Sequence, residues 1–425
     1  MSATVKNNTV KPLNIWIFNN YNMLPEHGPL TRSYELGKAL KQLGHNPVVF
    51  VGSHPHNTNK QLIEGKEKYT IYQDEPFPWV LVKTCNYGND KKKRVISMFE
   101  YYRNSLKAVE KFIKPDVIIG SSAHPLAALL AIRLGKKYHC KKIVEIRDLW
   151  PESIVEYGIL DKNNPVIKGL YRFEKNLYCS ADAVIFTGGG LCDYIHEKGW
   201  ENDIPNSKIF SLNNGIDLDE FVFNRENYQI VDNDLSDSSI FKVVYTGSIK
   251  RVNNLGLLLD AAKKISNNRI RILIWGEGDE REKLEKRLET EKIANVIFKG
   301  RVEKKYIPYI VSNADLNIAH NNPSSLFRFG ISFNKMFEYL AAGKPVLSDF
   351  PSKYNPAVDF KAGTDVLTPN AENVAKAIEE YVYMPQDVYQ MYCNNALKAA
   401  NEYTFDNLAN KLINIIESID KGGKE

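Results

Sequence analysis

The sequence predicts an α/β protein of two parallel-sheet domains, and three observations carry that expectation. Strand-like apolar runs alternate with helix-length amphipathic segments almost from end to end. The alternation pauses at the polar stretch Asn224 to Ser239 and then restarts. The chain has 425 residues, too many for one compact core but suited to two domains of roughly 200 each.

In the first half the strand candidates are Asn14 to Phe18, Pro47 to Val51, Asp116 to Gly120, Lys142 to Ile146 and Ala183 to Thr187. Helices fit between them. Thr31 to Leu43, Pro125 to Tyr138 and Pro165 to Cys179 carry apolar residues at three- and four-residue spacing. Asn224 to Ser239 is rich in Asn, Asp and Ser and reads as a linker, with the domain boundary near residue 230. The second half offers Lys242 to Tyr245, Arg271 to Trp275, Asn295 to Phe298, Leu316 to Ala319 and Pro345 to Ser348, a second Rossmann-like unit. The closing segment Asp406 to Ile419 has helical spacing and follows every strand candidate, so it is free to pack anywhere.

Composition excludes other classes. Hydrophobic residues make up 43% and charged residues 25%, ordinary globular usage that fits neither a disordered chain nor a membrane bundle. No run reaches the roughly 18 to 20 apolar residues of a bilayer span, and Met1 to Lys11 lacks a signal-peptide core, so a cytoplasmic protein is expected. The five cysteines are scattered without metal-ligand spacing, which argues against disulfides and structural zinc. A net charge of +5 is mild, and no nucleic-acid partner is expected. From Asn86 to Pro115, eight Lys or Arg stand against three Asp or Glu, and Lys91, Lys92, Lys93 and Arg94 lead into Val95, Ile96 and Phe99. That segment is either a peripheral contact with an anionic membrane, at the inner face of the plasma membrane, or a solvated turn before an amphipathic helix.

Ligands of open parallel sheets bind beyond the carboxyl ends of the strands, so those ends are where chemistry is sought. With two such domains, the carboxyl ends can face each other across a cleft. Four loops stand out. Asn19 to Arg32 contains His27, Gly28 and Arg32, either a close-approach loop or a plain turn; it is not a GxGxxG dinucleotide fingerprint. Ser121, Ser122 and His124 end one strand, and Arg147, Asp148, Trp150 and Glu152 end another. These are functional groups or, for Arg147, half of a structural ion pair. Tyr245 to Leu255 places Gly247, Lys250 and Arg251 before a helix, fit for a diphosphate or simply a basic turn. Ser332 to Pro345 puts Lys335 and Glu338 on one helical face, as phosphate and ribose ligands or as a surface salt bridge. Gly276 to Gly278 reads as a nucleotide-side turn and Gly188 to Gly190 as a flexible connection.

Several motifs, in order, resemble the retaining glycosyltransferases of the GT-B fold, family four grouping. They are H-G-P-L-T-R, S-S-A-H-P, E-I-R-D-L-W-P-E, A-D-A-V-I-F-T, N-N-G-I-D, Y-T-G-S-I-K-R-V-N-N-L, F-K-G-R-V and S-F-N-K-M-F-E-Y-L-A-A-G-K-P. The set looks most like the bacterial branch that builds capsule, O-antigen or exopolysaccharide. The resemblance implies two facing Rossmann-like domains: residues 1–222 for the acceptor, a linker at 223–240, 241–402 for the nucleotide-sugar, and a C-terminal helix at 403–425 packing back on the first domain. It implies a sugar, a hexose or N-acetylamino sugar, moved with retention from a nucleotide diphosphate sugar, UDP-linked, to a glycan or polyprenyl-linked acceptor. The nucleotide-sugar is a substrate, so no cofactor and no metal are expected.

Laid over the loops, the resemblance implies donor contacts at Gly247, Lys250, Arg251, Gly276, Val302, Gly330, Ser332, Lys335 and Glu338. It implies acceptor contacts at His27, Gly28, Ser122, His124 and Arg147, and catalytic roles for His124, Asp148, Arg251 and Lys335. Glu338 matches the second acidic residue of the family's E-x7-E motif, whereas the first falls on Gly330. Ser248 and Asn253 replace the usual basic pair, leaving Arg251, Lys250 and Lys335 for phosphate. The histidine position matches His124 or Ser121. The Asp-x-Asp pairs at Asp217 and Asp219 and at Asp232 and Asp234 do not read as metal sites. Two rivals remain: a nucleotide-sugar epimerase or hydrolase of the same architecture, and a noncatalytic glycan-binding scaffold.

Overall fold

The structure is a computed structural model; it describes residues 11–421 apart from positions 57, 59, 89 and 123, so the N-terminal segment up to residue 10 lies outside the described residues. The chain divides into two units. The first holds residues up to Phe186, Ile195–Phe210 and those from Ala409 onward; the second holds Thr187–Tyr194 and Ser211–Leu408.

In the first unit the strands are β1 (Asn14–Phe18), β2 (Asn46–Gly52), β3 (Tyr69–Tyr72), β4 (Trp79–Val82), β5 (Val117–Ser122), β6 (Lys141–Ile146), β7 (Ala183–Phe186) and β8 (Ile209–Ser211). Their order is β3-β4-β2-β1-β5-β6-β7-β8. β1 pairs in parallel with both β2 and β5, so the winding reverses there, while β3 runs antiparallel to β4 at the edge. The buried run Ile15 to Phe18 is apolar at successive positions because helices cover both faces of a parallel sheet. Phe18 stacks on Phe50 at 4.6 Å, and each such ring removed from water contributes about 1.5 to 3 kcal/mol.

The helix after β5 owes its close packing to one glycine. A Cβ at Gly120 would lie 2.4 Å from the Ala127 carbonyl oxygen, so its absence lets the helix Pro125–Tyr138 settle on β5. Pro125 opens that helix, where a missing N–H is harmless, and His139 at φ 53° closes it. The final helix, Phe405–Lys421, joins the first unit from Ala409 on, where Lys141 Nζ donates to the Ile416 carbonyl at 3.1 Å.

The second unit has β9 (Phe241–Thr246), β10 (Ile270–Trp275), β11 (Val296–Gly300), β12 (Leu316–Ala319), β13 (Val346–Ser348) and β14 (Gly363–Asp365). The order is β11-β10-β9-β12-β13-β14, parallel throughout, with the reversal between β9 and β12.

Every strand expected from the sequence is present. Four more, β3, β4, β8 and β14, each three or four residues long, were not expected. The linker assignment is corrected. Residues 211–240 cluster with the second unit and contain the helices Leu218–Asn227 and Asn233–Ser236, whose Phe221 and Leu235 are buried in its core. Asp232, one of the residues that suggested a loop, supplies an N-cap instead, accepting from Leu235 N–H at 2.9 Å, as Asp217 before it accepts from Glu220 N–H at 2.9 Å. Lys299 Nζ then bridges Asp232 at 2.6 Å and Asp234 at 2.5 Å.

Candidate active site

In the second unit, the loops at the carboxyl ends of β9, β10 and β11 form one backbone-bonded platform. Gly247 N–H donates to the Trp275 carbonyl at 3.0 Å, Ile249 N–H to Glu277 at 2.9 Å, and Gly276 N–H to Gly300 at 2.9 Å. A Cβ on Gly276 would fall 1.8 Å from the Gly247 oxygen, so Gly276 serves loop packing rather than approach to a donor. Gly247, at φ 151°, faces the helix Asn334–Ala341: Lys335 Nζ lies 3.1 Å from the point a Gly247 Cβ would occupy and 4.3 Å from the Tyr245 ring centre. One turn along, Tyr339 locks that helix to β9, since its hydroxyl accepts from Thr246 N–H at 2.9 Å.

Lys335 and Glu338 share the helix face without an ion pair between them among the described residues, so the surface salt-bridge alternative fails. Burial lowers the Lys335 ammonium from its ordinary 10.5 to about 8, against the pull of Asp349 and Glu338. Burial also raises the Glu338 carboxyl, opposed by Lys304 and Lys335. Lys250 and Arg251 are exposed, on a turn braced by Asn253, whose amide donates to Ser248 Oγ at 2.9 Å and to the Tyr245 hydroxyl at 3.3 Å. The two neutral residues at the family's basic positions therefore hold the loop in shape.

Other expected donor residues are structural. Ser332 Oγ accepts from Asn214 N–H at 2.7 Å. Val302 packs partly buried against the core. Gly330 has φ 100°, and a Cβ there would sit 1.7 Å from the Gly188 oxygen, so no acidic side chain fits where the family motif has one. Gly190 N–H donates to the Phe329 carbonyl at 2.9 Å, which makes the Gly188 to Gly190 segment a docked connection rather than a flexible one. A buried pair at the reversal point was missed: His320, directly after β12, bonds Asp349 through Nδ1 and the Asn254 carbonyl through Nε2 at 2.9 Å. A titratable residue directly after an apolar run, as His320 follows Ala319, is the signal that could have found it.

In the first unit, Arg32 and Glu145 form the closed ion pair, with Nη2 to Oε1 at 2.7 Å, and Ser121 Oγ donates to the other carboxylate oxygen at 2.5 Å. Burial works against the Glu145 carboxylate, yet Arg32, Arg147 and the Ser121 hydroxyl hold its pKa below the ordinary value. Ser121 is thus committed, and His124 is the strand-end residue left over. His124 is 1% exposed, and neither ring nitrogen has a hydrogen-bond partner among the described residues. Burial and the Arg94 charge lower it to about 3, so at neutral pH it is an uncharged hydrogen-bonding ring and a poor general base.

Arg147 makes no ion pair among the described residues, and its Nη1 is buried without a partner; burial and Arg32 bring it to about 10. Asp148 keeps contact with solvent, although the surrounding protein raises its carboxyl against Arg147 and Arg94. Ser122 closes β5, its carbonyl accepting from Arg147 N–H at 3.2 Å. His27 sits on the short turn Pro25–His27, and Gly28 makes room for Met23, whose sulfur would lie 2.4 Å from a Cβ, so that loop is the plain turn. Arg94 is exposed like Lys91, Lys92 and Lys93, and its Nε donates to the Tyr21 hydroxyl at 3.3 Å, with the guanidinium over that ring at 5.3 Å. Tyr21 meets His124 edge-on at 5.5 Å, which brings the segments following β1 and β5 and the helix Lys91–Ala108 together at the reversal point.

Residues 28–220 match the model of Glycosyltransferase Family 4, and residues 231–399 that of Glycosyl transferases group 1. A probable glycosyltransferase, WbjE of Pseudomonas aeruginosa, is 21% identical over 277 residues, covering 64% of this chain and 68% of that protein. Sucrose-phosphate synthase from Thermosynechococcus elongatus has a similar fold, with a TM-score of 0.69 at 15% identity over 96% of this chain and all of the other. So does HepE of Anabaena in complex with UDP, with a TM-score of 0.64 at 12% identity over 96% of this chain and all of the other.

Proposed function

We propose that this chain, a glycosyltransferase of the GT-B fold, moves a hexosyl or N-acetylhexosaminyl group from a UDP-sugar to a glycan or lipid-linked acceptor in surface-polysaccharide synthesis, with retention at the anomeric carbon. The observation that carries the reading is Lys335 held over Gly247 at the reversal point of the second sheet. A cation above a side-chain-free strand end suits a diphosphate. In the proposed step the bond from C1 to the β-phosphate oxygen breaks and the acceptor oxygen bonds C1 on the same face. The acceptor proton passes to the departing diphosphate. Lys335, with Arg251 from the exposed turn, offsets the charge that develops, and Glu338 accepts from ribose hydroxyls. The UDP and UDP-glucose complexes of HepE support the choice of base.

Thermal unfolding in UDP, GDP, ADP and CMP tests it, since a ligand bound only by the folded state raises the midpoint. A selective rise with UDP that Lys335→Ala abolishes supports the reading. No rise with any nucleotide would leave a noncatalytic protein as the better description.

Membrane contact is part of the proposal. Val95, Ile96 and Phe99 are each half exposed or more, and Lys91 to Lys93 are exposed on the same helix. No described helix is long and apolar enough to cross a membrane, so contact would be peripheral. Sedimentation with vesicles containing phosphatidylglycerol checks this, and binding unchanged by K91Q/K92Q/K93Q counts against it.

A further inference from the structure

We propose that His320 and Asp349, buried together at the reversal point of the second sheet, are positioning residues of the donor site: the Nε2–H of His320 holds the Asn254 carbonyl and thereby the turn that carries Lys250 and Arg251. This rests on the transferase reading and adds to it what fixes the exposed cations in place.

The hydrogen-bond roles decide the protons. His320 bonds the Asp349 carboxylate through Nδ1 and the Asn254 carbonyl through Nε2 at 2.9 Å, and both partners accept. A neutral imidazole has one N–H, so beside an ionised carboxylate it would press a lone pair against one oxygen or the other. Both contacts are satisfied together only when the pair holds two protons, one on Nε2 and one between Nδ1 and the carboxylate. Asp349 thus keeps Nε2 a donor. Both side chains are withdrawn from water, where such a bond is stronger than at a wetted surface.

The direction of that N–H gives the pair a role beyond packing. Asn254 closes the short turn Arg251–Asn253 and precedes the helix Leu255–Ala262. Its carbonyl already accepts from Leu257 N–H at 3.0 Å, so the helix start is satisfied without the histidine, and the second bond fixes where the turn lies. Asn254 has φ 51°, a left-handed conformation that asparagine tolerates better than most residues, and the histidine pins that corner. From the other side Asn253 ties the turn to Ser248 and Tyr245. Tyr245 is the shared reference: His320 meets its ring edge-on at 6.3 Å, and Lys335 Nζ lies 4.3 Å from its centre. The turn bearing Arg251 and the helix bearing Lys335 are therefore registered against one ring.

Two isosteric amides separate the roles. In His320→Gln the amide nitrogen takes the place of Nε2 and can still donate to Asn254; in His320→Asn it takes the place of Nδ1 and reaches only Asp349. Calorimetric titration of UDP into the full chain should show affinity about tenfold or more weaker in His320→Asn and within about threefold of wild type in His320→Gln. Arg251→Ala should weaken UDP about tenfold in wild type and in His320→Gln yet add little in His320→Asn, where the arginine is already displaced. Equal affinity in all three proteins, equal loss in both variants, or an Arg251→Ala effect undiminished in His320→Asn would overturn the proposal and leave a structural pair. Two readings do not depend on UDP. Amides of residues 250–257 in the nucleotide-free protein should exchange faster in His320→Asn than in wild type or His320→Gln, and unchanged exchange would overturn the positioning role. In the wild type, nitrogen NMR should show Nε2 of His320 protonated at neutral pH, and a bare Nε2 would overturn it without any variant. Should UDP not bind the wild type, the transferase reading fails separately, and these two measurements still decide the role of the pair.

Discussion

Replacing Lys335 by Met should stabilise the protein while crippling donor binding. Burial lowers the ammonium from 10.5 to about 8. With water wholly excluded, that difference would correspond to about 3 kcal/mol against the charged form, at 1.36 kcal/mol for each pH unit. The side chain retains partial contact with solvent, which reduces the penalty to about 1 to 2 kcal/mol. Methionine fills similar space without charge. At pH 7 the unfolding midpoint of the variant should rise by roughly 2 to 8 °C. Because the folded pKa lies below the unfolded one, the penalty is fully present below about 8 and disappears as pH rises toward 10.5, so the two proteins should converge there. Charge-assisted hydrogen bonds to phosphate are worth about 1.5 to 3 kcal/mol, so UDP should bind roughly ten- to 150-fold more weakly. Scanning calorimetry and isothermal titration read the two effects. A destabilised variant with unchanged UDP affinity would refute the reasoning and make Lys335 a structural residue.

The same lysine sets a pH dependence: kcat/KM for the donor should fall as pH rises through about 8, when the free enzyme loses the proton, while kcat persists to higher pH because bound diphosphate retains it. Steady-state kinetics from pH 6 to 10 check this, and a flat kcat/KM would remove Lys335 from phosphate binding. Glu145→Gln leaves Arg32 buried without its counter-charge and should cost about 3 to 5 kcal/mol in urea unfolding; a loss below about 1 kcal/mol would contradict the closed ion pair. Gly330→Ala meets both φ 100° and the Gly188 oxygen at 1.7 Å, so it should lose about 2 kcal/mol or more, and an unperturbed melt would show that the connection can yield.

How much of this was legible in the sequence depends on what carried the signal. β1, β2, β5, β6, β9 and β10 are buried runs of five to seven residues bounded by turns, so alternation alone locates them, while the four-residue β7 and β12 stand out by being apolar throughout or nearly so and by their place in the alternation. The helix Pro125–Tyr138 is marked at both ends by its residues. Asn224 to Ser239 was misread because Asp and Asn serve loops and N-caps equally, and only packing of Leu235 distinguishes them. Lys335, Glu338, His124 and Arg147 were singled out because strand ends and helix starts were read for charge, and the structure places each of them buried or part-buried. Tyr339 and Tyr21 were missed because an aromatic residue on a helix face or in a loop gives no hint of what its hydroxyl reaches. Arg94 is exposed like the three lysines before it, but the sequence does not tell that its Nε reaches the Tyr21 hydroxyl.

Partners, rather than residue types, separate structure from chemistry in this chain. Arg32 and Arg147 both lie at the carboxyl edge of the first sheet, and either could have been chosen from the sequence as a ligand. Glu145 and Ser121 close around Arg32, whereas no carboxylate among the described residues closes around Arg147. The second unit repeats the contrast: Lys299 is held by Asp232 and Asp234, while Lys335 rests on an aromatic face with its ammonium directed at Gly247. A closed pair has already used its charge on the fold. An open cation in a poorly hydrated position destabilises the empty protein, and that cost is recovered when an anion arrives, so Lys335 is where phosphate recognition is to be sought.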